Sequence, residues 1–380
     1  MNEYPIYLDH HSTTPCDPRV VEKMVPYFGE IFGNPSAVTH AHGRRAATAV
    51  EEARSVIAGF FRVRPNEIYF TAGATESNNL VLNGLAELRG RHLITTAVEH
   101  KSVLVPATRL RNEGIEVTLL QPDRDGFIDP ADLERAIRDD TSLVSIIAAS
   151  GEIGTIQPLA ALAEICHRRG VPFHTDATQA VGKIPLDLSE IPCDLLSFSG
   201  HKFYGPKGTG AVFVRRGLRV PPLITGGGQE KGIRSGTLNV PGIIGMAEAL
   251  RLREKEMADE AVRLTALRNR LWERIVGEIP GTVVHGPREL RLPGNLNVSF
   301  EHADAEAIMM ALRRFSLSSG AACSSGDRDP SHVLEAIGVE GAMAISSIRF
   351  GLGRSNTDEQ IDLLLIDLAA AVSRLREISV

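Results

Sequence analysis

The sequence predicts an α/β protein: a large domain built on a mostly parallel seven-stranded sheet flanked by helices, followed by a smaller α/β domain. Three observations predict it. From residue 67 onward, short β-rich runs alternate with stretches whose apolar residues repeat at helical spacing, the pattern of parallel strands joined by crossover helices. The chain has 380 residues, more than one core usually organises at roughly 100 to 200 residues per domain. Its 43% apolar and 23% charged residues are ordinary for a globular protein, which excludes a disordered or collagen-like chain.

The strands of the large sheet are expected at 67–71, 92–96, 115–120, 142–148, 171–175, 194–199 and 210–214. Between them, 75–88 and 159–169 carry the clearest helical spacing. From Pro221 to Gly236, Pro-Pro and Gly-Gly-Gly-Gln punctuate the chain without either periodicity, so a long loop is expected there. Pro241 suits the first turn of a helix, and Leu264, Leu267, Leu271 and Ile275 then share one face of a long amphipathic helix bridging the two domains. Beyond it, strands are expected at 282–284, 295–300 and 346–350, with helices over 304–315 and 357–375.

Charge and cysteine content narrow the function. Lys and Arg number 41 against 47 Asp and Glu, a formal net charge of −6, and the Arg pairs are scattered. No broad cationic field for nucleic acid or anionic lipid is expected, hence no direct nucleic-acid binding and no membrane partner. Met1-Asn-Glu-Tyr-Pro5 has neither a basic start nor an apolar signal core, so a cytoplasmic location is expected. Cys16, Cys166, Cys193 and Cys323 are too dispersed for a disulfide framework, and no Cys-x-x-Cys pair points to a metal.

Ligands of open α/β sheets bind beyond the carboxyl ends of the strands, so polar residues there carry most weight. After the first strand, Thr71-Ala-Gly-Ala-Thr75-Glu76 is a small-residue turn entering a helix, suited to a phosphate or simply to close packing. Asp176 follows the fifth strand and Lys202 the sixth, one crossover unit apart. That spacing fits either a surface ion pair or a carboxylate and amine sharing a crevice, where a desolvated lysine could form a Schiff base. An amine, a carboxylate and a phosphate-ready turn on one sheet edge match the needs of pyridoxal 5'-phosphate.

At these residues the sequence resembles the NifS/IscS-type cysteine desulfurases, fold-type I pyridoxal-phosphate enzymes of the class V aminotransferase group. The likeness runs from Tyr7-Leu-Asp-His-His-Ser-Thr-Thr-Pro15 to Arg349-Phe-Gly-Leu-Gly353. It implies a large cofactor domain over 15–255, with 1–14 and 256–380 forming a small domain that carries a cysteine loop at about 316–328. By the same resemblance Lys202 tethers the cofactor, Asp176 pairs with its ring nitrogen, and His100 stacks on the ring and moves protons. Gln179 reaches the ring hydroxyl, while Ala74, Thr75, Ser199 and His201 hold the phosphate. Thr237 contacts the phosphate of a neighbouring subunit, which implies a homodimer with shared sites, and Arg349 with Asn34 clamps the substrate carboxylate.

Cys323 stands in Ser318-Ser-Gly-Ala-Ala-Cys323-Ser-Ser-Gly326, a run of small residues that reads as a loop and resembles the family's Ser-Ser-Gly-Ser-Ala-Cys-Thr-Ser. The other three cysteines read as structural thiols. The implied reaction converts L-cysteine to L-alanine and leaves the sulfur on Cys323 as a persulfide for an acceptor protein, such as an iron–sulfur scaffold. Ser150-Gly151-Glu152 departs from the usual Asn-Asn-Glu. Two other readings stand beside this one: a selenocysteine or cysteine C–S lyase using the same cofactor, and a weakly active homologue that serves as a sulfur-transfer assembly partner.

Overall fold

The computed structural model describes residues 5–85, 90–319, 330–339 and 341–378. In chain order its strands are β1 (Ile6–Tyr7), β2 (Ile68–Thr71), β3 (His92–Thr96), β4 (Glu116–Leu120), β5 (Thr141–Ser145), β6 (Phe173–Asp176), β7 (Leu195–Ser199), β8 (Gly210–Val214), β9 (Thr282–His285), β10 (Asn295–Phe300), β11 (Phe315–Ser316), β12 (Ser318–Ser319) and β13 (Ser347–Gly351). The helices are α1 (Pro18–Met24), α2 (Pro26–Gly29), α3 (Ala41–Phe61), α4 (Ala74–Leu85), α5 (Lys101–Asn112), α6 (Pro130–Ala136), α7 (Leu159–Arg168), α8 (Val240–Glu278), α9 (Ala305–Ala311), α10 (His332–Ala336), α11 (Gly341–Ile345) and α12 (Asp358–Ile378).

The large sheet has seven strands in the order β2-β8-β7-β6-β5-β3-β4. β8 runs antiparallel to both neighbours and every other pair is parallel. Every residue of β3, β5, β7 and β8 is buried, as a sheet covered by helices on both faces requires. The backbone beyond β5 keeps pairing to the expected end of that strand, since the N–H groups of Ile146 and Ala148 donate to His174 O and Asp176 O.

The sequence pattern assigns no element before residue 67, yet three helices lie there. The longest, α3, turns Ala46, Val50, Ala53, Ile57 and Phe61 into the core at helical spacing, with His40 accepting from Gly43 N–H at its start. The helix expected over 304–315 ends at Ala311, because Phe315 and Ser316 are drawn into parallel pairing with β1.

The small domain is an antiparallel sheet in the order β12-β13-β10-β9 with α9 and α12 packed on it. α8 joins the two cores: Ile243, Met246 and Leu250 pack under the large sheet, and Leu264, Leu271 and Ile275 pack in the small domain. At 39 residues the helix is about 58 Å long, enough to span both. Among the described residues no helix is long and apolar enough to cross a membrane.

Candidate active site

The carboxyl ends of the parallel strands open onto a cavity of about 1030 Å³. Every layer of the fold lends it a wall. The β2–α4 turn brings Gly73, Ala74, Thr75 and Glu76, and the turn after β3 brings Glu99 and His100. β6 ends in Asp176 with Thr178 and Gln179 beyond it, and β7 leads to Ser199, His201 and Lys202. β13 supplies Arg349, the start of α10 supplies His332, and the N-terminal segment supplies His11, Ser12 and Thr13.

Lys202 follows β7 in a single tight turn, and its amine donates to the carbonyls of His11 and Ser12, both at 2.7 Å. Those carbonyls are fixed from below, since Thr14 donates its N–H and its hydroxyl to His201 O at 2.9 and 2.8 Å. Burial lowers the Lys202 amine to about 8, with Arg349 adding to the shift and Asp176 opposing it. His201 hydrogen-bonds Thr13 Oγ1 at 3.0 Å, and burial, with Lys202 and Lys207, pushes it down to about 4, so it is a neutral ring at physiological pH.

Asp176 is almost wholly buried. Its Oδ2 accepts from Asn78 Nδ2 at 2.7 Å and its Oδ1 from Thr178 N–H at 2.9 Å. The same Asn78 nitrogen donates to Ser102 Oγ at 2.8 Å, and Ser102 Oγ lies 2.8 Å from His100 Nδ1. Because His100 Nδ1 also accepts from Ser102 N–H, it carries the lone pair and the neutral ring's proton sits on Nε2. Burial lowers the His100 pKa, with Asp176 acting in the opposite direction. Asp176 and His100 are thus held by one buried asparagine.

At the far wall the first turn of α4 lines the cavity, and the first N–H groups of a helix have no carbonyl of their own helix to meet. Gly210 lets that turn pack against β8, since a Cβ there would stand 2.6 Å from Gly73 Cα. Arg349, on β13, donates to Asp9 Oδ1 at 2.9 Å, Ser12 Oγ at 2.7 Å and Gly151 O at 3.2 Å. Its Nε is buried with no hydrogen-bond partner among the described residues, as are Thr178 Oγ1 and one carboxyl oxygen each of Glu99 and Glu152. Burial pushes Glu152 up to about 7, against the Ser331 hydroxyl and Arg349. A Cβ at Gly151 would come within 2.6 Å of Gln179 Nε2, so the glycine makes room for that amide.

Of the residues singled out in the sequence, Lys202, His100, Asp176, Gln179, Ala74, Thr75, Ser199, His201 and Arg349 all line this cavity. Asn34 and Thr237 are not among its lining residues and are exposed. Asn34 uses its side-chain oxygen to accept from Ser36 N–H, closing its own turn, so the geometry does not bring it to Arg349. Cys323 lies outside the described residues. Cys166 and Cys193 are fully buried, and burial raises both thiols, Cys166 to about 12. Cys16 is half-buried and its thiol is raised as well. No cluster of His, Cys, Asp or Glu among the described residues could hold a metal.

Sequence reasoning missed His11, Ser12, Asn78, Glu99, Ser102, Glu152, Thr178 and His332. Glu99 and Glu152 could have been found, since both sit beside residues the strand-end rule selects; Asn78 lies inside a helix and offers no such signal.

The class V aminotransferase family model matches residues 6–364 of the chain. A cysteine desulfurase IscS from Anaeromyxobacter dehalogenans is 49% identical over 380 residues, covering 99% of this chain and 94% of the relative. A solved NifS-like protein superposes with a TM-score of 0.91 at 38% identity, covering 97% of this chain and all of that one. The structure of SspA in complex with cysteine gives 0.81 at 36% identity, over 91% and 98% of the two chains.

Proposed function

The chain belongs to the class V aminotransferases, and from that membership we propose that it is a cysteine desulfurase, converting L-cysteine to L-alanine and passing the sulfur to Cys323. The observation that carries this reading is the convergence of Lys202, Asp176, His100 and Arg349 on one cavity, in a chain nearly half identical to proteins named for that activity.

The donor set fits pyridoxal 5'-phosphate. An amine brought to about 8 suits an aldehyde, a buried carboxylate suits a protonated ring nitrogen, and a helix N-terminus beside Ser199 and His201 suits a phosphate. Among the described residues the buried Thr178 Oγ1 and Arg349 Nε have no hydrogen-bond partner, which fits a polar ligand at this site. When bound, the cofactor supplies an electron sink that labilises bonds at the substrate's α-carbon. Lys202 would tether it, Asp176 would hold the ring-nitrogen proton, and Gln179, Ala74, Thr75, Ser199 and His201 would bind its hydroxyl and phosphate.

The remaining residues act on L-cysteine. Arg349 presents a guanidinium whose planar fork matches the substrate carboxylate, and Asp9 and Ser12 orient it. His100, with the proton of its neutral ring on Nε2, would exchange a proton with the substrate thiol or with the Cys323 thiol. The Cys323 thiolate attacks the substrate sulfur, the C–S bond breaks, and the carbon fragment takes up a proton to become alanine while S–S forms on the enzyme. Burial raises the thiols of Cys16, Cys166 and Cys193, and it is the family resemblance that gives this step to Cys323. The persulfide would then pass to an acceptor protein, of which an iron–sulfur scaffold is one kind.

A homodimer with shared sites accounts for Thr237: it is exposed on this chain and absent from this chain's own cavity. Brief exposure of the holoenzyme to L-cysteine is expected to add one sulfur to Cys323, read by mass spectrometry, with alanine released. Cys323→Ala should keep the yellow colour and lose cysteine-dependent alanine. Normal turnover by that variant would reject the persulfide route and favour a lyase.

A further inference from the structure

We propose that Lys183 is a positioning residue of the active site: through Gln179 it fixes which end of that amide is offered to a ligand in the cavity. The inference rests on the reading of Gln179 as a cofactor contact. Lys183 lies one turn beyond Gln179, behind the cavity wall, and its Nζ donates to Gln179 Oε1 at 2.6 Å. The Nδ1 of His11 lies 3.1 Å from the same oxygen. The other end of the amide, Nε2, donates to His11 O at 2.8 Å, and that carbonyl also accepts from Lys202 at 2.7 Å. Lys183, Gln179, His11 and Lys202 therefore form one hydrogen-bonded chain.

The count of donors decides the orientation. An amide flipped end for end has the same shape, so its partners alone determine which atom faces where. With the lysine amine on Oε1, and the imidazole beside it donating in the tautomer that carries its proton on Nδ1, the oxygen's lone pairs are engaged inside the protein. Nε2 has two hydrogens, one of which is on His11 O, and the second is left for the cavity that Gln179 lines. Gln179 thus faces the cavity as a donor, the polarity that an anionic ring oxygen requires. Gly151 belongs to the same arrangement, because a Cβ there would stand 2.6 Å from Nε2 and 2.8 Å from Cδ of Gln179.

The groups facing Lys183 are His10 and His11 from the N-terminal segment, Lys202, Arg349, and Arg253 and Glu260 from α8. Burial lowers its amine far below the usual lysine range, Lys202, Arg349 and Arg253 add to this, and Glu260 opposes it. A weakened charge lets a second lysine sit this near Lys202.

The test is a pH titration of the visible cofactor absorption band in wild-type, Lys183→Met and Gln179→Ala holoenzymes. A donor on the ring oxygen stabilises its negative charge, so losing it should raise the titration midpoint, by roughly half a unit to one unit. Both variants should move upward alike, and the double variant no further than either. A Lys183→Met midpoint equal to wild type, with Gln179→Ala shifted, would overturn the role of Lys183 and leave the cofactor reading standing. If neither variant moves, both fall. Should Lys183→Met fail to fold, Lys183→Leu likewise removes the donor to Gln179 Oε1 and should raise the midpoint too; an unchanged value there would also overturn the proposal.

Discussion

Lys202 shows how position sets reactivity at the scale of one residue. Its amine is nucleophilic only when neutral, and neutral amine is present above the pKa. At about 8, ~10% of Lys202 is neutral at pH 7, against ~0.04% of a lysine at its usual ~10.4. In the cofactor-free protein, acetic anhydride labelling of Lys202, followed by mass spectrometry, should therefore rise with pH through a midpoint near 8. A midpoint near 10 would show that the amine is solvated and that burial does not tune it. Lys202 and Asp176 drew attention in the sequence because each stands just past a predicted strand, where the fold class puts ligands, while His100 was assigned through the family resemblance. Lys183, His11 and Asn78 were not legible there. They reach the site from behind a turn, from the N-terminal segment and from a helix interior, through contacts that cross 98 residues between Asn78 and Asp176 and 191 between His11 and Lys202.

Among the connecting elements, the 221–236 segment was readable as a loop from its prolines and glycines, but the way it is held was not. Its one buried carboxylate, Glu230, accepts from both terminal nitrogens of Arg54 at 2.8 Å and from Phe70 N–H at 2.7 Å. That ties the loop to α3 and β2 and holds Glu230 and Lys231 at φ of 48° and 55°, a left-handed conformation that side-chain-bearing residues seldom take. A second tie, Arg234 to Glu76 at 2.8 Å, fastens the loop to the first turn of α4 on the cavity wall. Glu230→Ala leaves Arg54 buried without its main counter-charge, and should cost about 3 to 5 kcal/mol in denaturant unfolding. A loss under ~1 kcal/mol would mean that Arg234 and the backbone hold the loop unaided. Periodicity places strands and helices well; it is blind to a carboxylate turned inward from a glycine-rich loop, since the partner that justifies its burial lies 176 residues away.

For the whole molecule, the cavity exists only while the two domains keep their relation, since Arg349 comes from one and Lys202 from the other. α8 supplies the span, and its midpoint supplies a lock. Arg253, buried there, donates to Gly182 O at 2.8 Å and to Glu260 Oε2 at 2.7 Å. Tyr204, from the large domain, lies 3.3 Å from Glu260 Oε1 and accepts the Arg354 N–H at 2.9 Å, and the Arg354 guanidinium lies 3.7 Å from the centre of the Tyr204 ring. Arg354 also pairs with Asp17 at the start of α1. This charge cluster ties one domain to the other at the back of the active site. Removing Glu260 leaves Arg253 buried and uncompensated, so Glu260→Ala should loosen the domains before it unfolds either core. The single tryptophan, Trp272, packs in the small domain, whereas backbone circular dichroism reports both. In wild type the two signals should lose structure together on heating. In Glu260→Ala the tryptophan transition should separate from the backbone one and cysteine turnover should fall with the first to go. Coincident transitions in the variant would show instead that α8 alone carries the coupling between the domains.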